Sequence, residues 1–563
     1  MTTKHIQNRR EISMNKKALS TTLLFLVVCT HMSASAQAAE QSKPNIIYIL
    51  ADDWGLGDVK TYGGDRCKID TPHMDHLAAR GMKFTDAHTS SSVCTPSRYS
   101  VITGRYNFRI NRASGILTGY KPAKIKPGRE TVASMLKQNG YATGMVGKWH
   151  IGMNLPTTDG KPARGNADKK KGTVSTNIDW NGTITEGPYD VGFDYYYGIS
   201  ASLDMPPYVW IENNRFTEPG TKPNDMCRPG PQGESFVFSD VLPKITRKSV
   251  AWIQQQAKSD KPFFLYMALN SPHTPLVTSA KFKGKSAVGS YGDFVMETDW
   301  SVGEVVKAVE QAGIADNTLI IVTADNGCSP AAKGGFKDKS QIQFRMDQPV
   351  EENPDAHYPS DIYRGHKADI YEGGHRVPYI ARWDRKVKAG SVSDDTICLV
   401  DLYATCADIV GAKIPDTAAE DSVSTLPIML GTATGPIHEA VVHHSYNGYF
   451  AVRKGKWKLI FGPDSGGWSN PGPPSKRVVK GRTNIVPAEV QENEWLQLFD
   501  LEADPSELNN LYGKYPEVVK NLTEIGQKYI DNGRSTPGAK QENDVKTGLT
   551  PNWVDKHKKR KSK

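Results

Sequence analysis

Seven cysteines are scattered through 563 residues, and no two stand in a C-x-x-C spacing, which leaves no zinc-type cysteine pair. Long apolar runs are nearly absent as well. The only one, Ala18 to Cys29, falls short of the ~18 residues that span a bilayer, so no transmembrane segment is expected. There is no internal repeat and no basic face. The formal charge of +9 sits in Lys4, Arg9, Arg10, Lys16 and Lys17 near the start and in six Lys/Arg between Lys556 and Lys563, which leaves the body of the chain close to neutral. That distribution speaks against a nucleic-acid partner and leaves any anion selectivity to a local site. The basic tail, within 541–563, reads as a solvated, disordered end.

What is present is a globular composition, 38% hydrophobic and 23% charged. The chain is longer than the roughly 250–300 residues at which one core stops growing, so one large and one smaller domain are expected. Lys16 and Lys17, the short apolar run and Ala34-Ser35-Ala36 follow the order of a secretory signal, residues 1–36. Met14 fits as its initiator, because the stretch before it is polar. A lipoprotein anchor at Cys29 is the weaker alternative, since Val28 is larger than the residue that normally precedes such a cysteine. The mature chain is expected to be exported, periplasmic or secreted. It keeps Cys67, Cys94, Cys227, Cys328, Cys398 and Cys406; with Cys94 reserved for chemistry, at least one of the other five is unpaired in a monomer.

Four short apolar runs end in polar residues of unusual kind. Asn45 to Ala51 runs into Asp52-Asp53, Tyr141 to Val146 into Gly147-Lys148-Trp149-His150, Phe263 to Ala268 into Asn270-Ser271-Pro272-His273, and Thr318 to Thr323 into Asp325-Asn326-Gly327. Runs this short and continuous suit strands buried on both faces. Helical patterns at Met74–Arg80, Thr131–Asn139, Val241–Gln256 and Asp293–Ala312 separate them, which predicts an α/β sheet covered on both sides. The four polar endings then converge on one rim, where such sheets bind ligands. Residues 152–233 and 329–361 read as long loops over it. After Thr432, strands at His438–His444, Tyr449–Arg453, Trp457–Phe461 and Trp495–Asp500 and a helix at Tyr515–Tyr529 predict a small four-stranded domain. The expected division is 40–434 and 435–540.

Taken singly, these residues have bland readings. A lone cysteine is usually a small buried hydrophobe, a lysine a solvated charge, a histidine structural, and Asp-Asp or Asp-Asn-Gly a turn. Their setting argues otherwise. Pro96 fits the first turn of a helix, which sets Cys94 at its positive N-terminal end, and Arg98 lies one turn on. Asp52, Asp53, Asp325 and Asn326 close strands that share the rim, and three carboxylates with an amide oxygen make a hard-oxygen cation site.

Cys94-Thr95-Pro96-Ser97-Arg98 through Thr103-Gly104 resembles the C-x-P-S-R-x-x-x-x-T-G signature of the type I sulfatases, of the arylsulfatase and N-acetylgalactosamine-6-sulfatase kind, in the alkaline phosphatase superfamily. Thr71 to Asp75, Leu77 to Gly81, Gly147 to His150, Ser271 to Pro275 and Gly365 to Gly374 resemble blocks of the same family, and the likeness runs from about Lys43 to Tyr529. The resemblance implies a large mixed sheet sandwiched by helices, with a smaller C-terminal α+β domain, and hydrolysis of sulfate esters. It implies that Cys94 is oxidised to formylglycine by a formylglycine-generating or anaerobic sulfatase-maturating enzyme. It also implies that Asp52, Asp53, Asp325 and Asn326, with residue 94, hold Ca2+, Mg2+ being the alternative. Arg98 and Lys148 would then hold the hydrated aldehyde, and Lys148 and Lys367 the sulfate oxygens. His273 would protonate the leaving alcohol and His150 assist the release of sulfate. A sulfated carbohydrate is the expected substrate, because Tyr189, Tyr195, Tyr196, Tyr197, Tyr208 and Trp210 could stack on a sugar; the alternative is that they pack the loops. Two other readings stand beside this one, a phosphonate or phosphate-ester hydrolase of the same superfamily and a non-catalytic binder of sulfated glycans.

Overall fold

Ile46 to Ala51 are apolar without interruption because both faces of the strand they form, Asn45–Asp52, are covered. The computed structural model describes residues 43–110, 115–335, 343–344, 353–469 and 496–549. The signal segment with Cys29, and the basic run from Lys556, lie outside them. Asn45–Asp52 pairs in parallel with Phe263–Pro272 on one side and Thr318–Ala324 on the other, and Ala142–Lys148 lies parallel to Phe263–Pro272. The four expected runs are therefore adjacent and point one way, which brings their carboxyl ends to a single edge.

Antiparallel strands make the sheet mixed. Tyr379–Arg382 pairs antiparallel with Thr318–Ala324 and with Met82–Phe84, and Ser391–Ser393 closes that side. On the other side Tyr195–Ile199 lies parallel to Ala142–Lys148, followed by Ile211–Glu212 and Arg215–Phe216, for ten strands in all. The helices Pro72–Arg80, Val241–Gln256 and Ser290–Gln311 pack together as one layer, and Cys94–Thr103, Val132–Gln138 and Leu402–Val410 as the other. Among the described residues no helix is long and apolar enough to cross a membrane.

The segment 152–233 is more ordered than its sequence reading as loops. Besides the strand Tyr195–Ile199 it holds the hairpins Gly165–Asp168 with Thr173–Thr176 and Lys222–Asn224 with Gly230–Gln232. These strands are too short and too polar for a period-2 pattern to emerge. The same region decides the fate of its aromatics. Tyr196, Tyr197, Tyr208 and Trp210 are buried, with Tyr197 stacked on Trp210 at 5.0 Å, while Tyr195 is half-buried and Tyr189 exposed. For those four, packing is the reading that holds.

Val441–His444, Phe450–Lys454, Trp457–Ile460 and Gln497–Asp500 form a separate antiparallel sheet in that order, under the helix Pro516–Asp531. Leu522, Ile525 and Tyr529 of the helix share a core with Val442, Val452 and Leu459. Its first strand also reaches the half built on the ten-stranded sheet. The His444 carbonyl accepts from the Ser92 N–H at 3.0 Å, and the His444 N–H donates to the Ser90 carbonyl at 3.1 Å, which braces the segment leading into Cys94. All six described cysteines are free, and only Cys227 is exposed.

Candidate active site

Cys94 opens the helix Cys94–Thr103, whose residues are all buried. Ser97 Oγ donates to the Ser91 carbonyl at 2.8 Å and Thr103 Oγ1 to the Tyr99 carbonyl at 2.8 Å, so the hydroxyls that weaken an isolated helix are used locally. Gly104 ends it at φ 65°. Cys94 is thus fixed where backbone N–H groups favour an anion. As a thiol it is a poor nucleophile: burial pushes its pKa up to about 11 against the pull of Lys148 and Lys367.

Arg98, one turn on, lies across the strand ends. Its Nε donates to Asp325 Oδ2 at 2.7 Å and its Nη1 to the Lys148 carbonyl at 3.2 Å, while Nη2 stands 3.9 Å from Asp52 Oδ1. Lys148 Nζ bonds Asp52 Oδ2 at 2.7 Å, and Lys367 Nζ bonds Asp53 Oδ1 at 2.5 Å. Asn326 Nδ2 donates to the same Asp53 oxygen at 2.7 Å, and His273 Nε2 is 3.6 Å from Asp53 Oδ2. The backbone shows how tightly this corner is drawn. Asp53 follows its strand at φ 62°, a left-handed conformation that aspartate tolerates, and its N–H donates to Asp325 Oδ1 at 3.2 Å. Gly147 lets Lys148 reach the rim, because a Cβ there would come within 1.8 Å of the Ala268 carbonyl oxygen.

Burial by itself raises the Asp52 carboxyl, but Lys148, His273, Arg98 and Lys367 outweigh it and hold the group well below the usual carboxylate range. Burial and the neighbouring carboxylates leave Asp325 raised in spite of Arg98. His150 is held well below its ordinary value by burial, then by Lys148. Its Nε2 is on the Leu117 carbonyl at 2.8 Å and its Nδ1 has no hydrogen-bond partner, so the neutral ring presents a lone pair. His273 Nδ1 faces the Thr274 carbonyl, which leaves Nε2 on the site side. The structure therefore joins eight of the ten expected residues by direct polar contacts and places Cys94 with Asp52 and Asp325, one ligand atom from each within 4.8 Å of the others. Cys94 and His150 make no hydrogen bond to the rest.

Asp52 Oδ1, Asp53 Oδ2 and Asn326 Oδ1 are buried without a hydrogen-bond partner. Buried oxygens left this way are costly unless something positive reaches them. Their hard-oxygen character fits a Ca2+ or Mg2+ ion.

Comparison with known proteins matches residues 44–412 to the sulfatase family and 437–551 to the C-terminal region of aryl-sulfatase. This chain belongs to the sulfatase family. The sulfatase is 34% identical over 544 residues to an N-acetylgalactosamine-6-O-sulfatase of Bacteroides thetaiotaomicron, an alignment covering 89% of this chain and 96% of that protein. It is 30% identical to human arylsulfatase A over 519 residues, 88% of this chain and 89% of the relative. A solved structure from work on glycosaminoglycan metabolism by Bacteroides thetaiotaomicron superposes with a TM-score of 0.70 at 33% identity, covering 87% of this chain and 99% of that one. The sulfatase is a sulfuric ester hydrolase.

Sequence reasoning missed two groups of buried polar side chains. One is a second ionic cluster around Glu372, His88 and Lys458. The other is the clamp that Asp369 makes on the loop carrying Trp468. Asp369 and Glu372 lie inside the Gly365–Gly374 block, but their contacts with Trp468 and Lys458 join segments far apart in sequence and leave no local signal.

Proposed function

We propose that this sulfatase is exported and removes O-sulfate from a carbohydrate, with residue 94 oxidised to formylglycine and Ca2+ held by Asp52, Asp53, Asp325 and Asn326. The observation that carries the reading is the set of three buried oxygens without a hydrogen bond, on Asp52, Asp53 and Asn326, at the rim where Cys94 opens a helix near Asp52 and Asp325, flanked by Arg98, Lys148 and Lys367. Calcium, when bound, would add positive charge where two oxygen-rich anions, sulfate and nucleophile, must meet. Oxidation of Cys94 would supply a hydrated carbonyl, one hydroxyl of which can attack sulfur as the alcohol leaves while the other gives up its proton so that sulfate departs and the carbonyl re-forms, a release that a thiol cannot make.

The chain's own residues do the rest. Lys148 and Lys367 can leave Asp52 and Asp53 for the sulfate oxygens as charge moves toward the leaving alcohol. Arg98, tied to Asp325, orients residue 94. His273 gives its Nε2 proton to the departing sugar oxygen, and the lone pair on His150 takes one from residue 94 when sulfate leaves. The carbohydrate reading draws on the names of the two Bacteroides relatives. Export draws on the order of charges, apolar run and Ala34-Ser35-Ala36 in the leader.

The test uses enzyme produced with a sulfatase-maturating enzyme. The peptide bearing residue 94 is weighed, bound metal is measured, and sulfate release is followed from sulfated monosaccharides, N-acetylgalactosamine 6-sulfate among them, and from aryl sulfate and aryl phosphate. Aldehyde mass, about one calcium and turnover of a sulfated sugar are expected. Thiol alone in fully active enzyme, full activity after verified metal removal, or preference for aryl phosphate would each overturn the corresponding part.

A further inference from the structure

The residues assigned to the reaction stop at Lys367, but an exposed ring stands directly beside it. Asp369 Oδ1 accepts hydrogen bonds from the N–H of Trp468 at 2.9 Å and of Ser469 at 3.0 Å, and Ser469 Oγ bonds Asp369 Oδ2. The Ile370 N–H donates to the Ser465 carbonyl at 2.8 Å. Gly467 allows this approach, since a Cβ at that position would fall 2.3 Å from the Ala368 carbonyl oxygen. Ala368 is itself held at φ 81° between the Ser92 carbonyl, 2.8 Å from its N–H, and the Tyr446 N–H, 2.9 Å from its oxygen. The loop from Asp464 to Ser469 is thereby fastened to the backbone that carries Lys367.

Its outcome is the position of one indole. The Trp468 ring centroid is 5.9 Å from Lys367 Nζ and 5.6 Å from the Tyr446 ring, and the residue is 42% exposed. A large apolar side chain held open to solvent by hydrogen bonds on its own backbone is doing something other than filling a core. In the 152–233 region Tyr196, Tyr197, Tyr208 and Trp210 are buried and offer no such surface, while Tyr189 is exposed.

We propose that Trp468 is the platform on which the pyranose ring of the sulfated substrate stacks, which makes it a specificity-determining residue supplied by the C-terminal part of the chain. A sugar ring has one face made largely of C–H groups, which suits an aromatic plane. An indole whose backbone is already clamped loses little freedom on binding. The position fits the chemistry, since a sulfate held by Lys367 must carry its sugar within reach of the ring beside that ammonium. This inference rests on the carbohydrate reading above.

Trp468→Ala and Trp468→Phe, in mature enzyme, are compared with wild type on the preferred sulfated monosaccharide, with inorganic sulfate as a competing inhibitor. Trp468→Ala should raise KM for the sugar ester about tenfold, equivalent to ~1.4 kcal/mol, with kcat little changed, as for loss of uniform binding. Trp468→Phe should recover most of the loss. The inhibition constant of inorganic sulfate should not move, because sulfate meets Lys367 and not the indole. An unchanged KM overturns the platform. A sulfate inhibition constant that rises in step with KM also overturns it, since Trp468 would then act by positioning Lys367. If wild type desulfates sugars and Trp468→Ala is indifferent, only the platform falls; if wild type turns over aryl sulfate and no sulfated sugar, the carbohydrate reading fails and takes the platform with it.

Discussion

Two buried clusters in this sulfatase each set three carboxylates against three permanent cations, yet they are finished differently. At the rim, Asp52, Asp53 and Asp325 face Arg98, Lys148 and Lys367. Between the main sheet and the C-terminal strands, Asp86, Glu372 and Glu507 face Arg376, Arg453 and Lys458. In the second cluster the acids are spanned from both sides. Asp86 Oδ1 is 2.7 Å from Arg376 and from Arg453, and Lys458 lies 3.0 Å from Glu372 and 2.8 Å from Glu507. His88, His375 and His443 are close enough to hold a metal, but most of their nitrogens are taken. His88 Nε2 is on Asp86, His375 Nε2 on the Ile370 carbonyl, and His443 Nδ1 on the Thr89 carbonyl; the Nδ1 atoms of His88 and His375 are 3.1 Å apart. At the rim, by contrast, one carboxylate oxygen of Asp52 and one of Asp53 stay without a hydrogen bond. Equal charge thus yields a cross-link in one place and a reactive site in the other: Glu507 Oε1 has Lys458 at 2.8 Å, although His443 Nε2 stays without a hydrogen bond, whereas Asp52 Oδ1 and Asp53 Oδ2 have Arg98 only at 3.9 Å and His273 only at 3.6 Å.

The comparison is broken most sharply at residue 94. Cys94→Ser, made with a cysteine-specific maturation enzyme, should lower kcat/KM by on the order of 10⁴ or more, the scale of losing a covalent nucleophile. Its melting temperature should match wild type, because neither cluster loses an ion pair. A melt that collapses along with activity would mean that Cys94 serves the core.

His273→Ala separates a leaving-group acid from a structural ring. A sugar alkoxide needs a proton as it departs and an activated aryl oxide needs little, so sugar desulfation should slow by about 10²–10⁴ and aryl sulfate turnover far less. Equal losses in kcat/KM on both substrates would move the acid role to Lys367.

How much of this was legible beforehand follows the same division. Much of the rim could be read because Asp52, Lys148, His273 and Asp325 stand at or just beyond buried parallel strands, and parallel strands share an end; Arg98 and Lys367 end no such run and were legible through the resemblance to the sulfatase blocks. The cross-link could not. Glu372 pairs locally with Arg376, but its contact with Lys458 spans 86 residues and that of Arg453 with Asp86 spans 367, and no period or motif records a contact at that distance. The strand Tyr195–Ile199 escaped for a related reason, since its tyrosines serve equally well as loop packing or as a buried strand.

The cross-link itself is tested by Glu372→Gln. Removing one partner leaves Lys458 and Arg376 short of a counter-charge in a dry interior, a change that typically costs about 3–5 kcal/mol. Denaturant unfolding should show that loss, while KM per folded molecule stays near wild type. A loss of only a few tenths would mean that Glu507 and Asp86 suffice.

The smallest expected effect is a change in slope. Burial foremost, then His88 and Lys458, hold His443 well below its ordinary value, and His88 and His375 are lowered as well. A base depressed in the folded state binds fewer protons there than in the unfolded chain, so stability is lost as pH falls below about 6.5. Each such group contributes up to ~1.4 kcal/mol per pH unit until its folded pKa is reached. His443→Phe keeps the ring stacked on His375, now 4.0 Å between centroids, but gives up the hydrogen bond to Thr89 at every pH. The variant should therefore be less stable than wild type at pH 7, and the gap should narrow at pH 6 and again at pH 5. Unfolding free energies measured at those three values decide it, because parallel lines would show that His443 does not remain neutral in the fold and that the second cluster is less closed than its contacts imply.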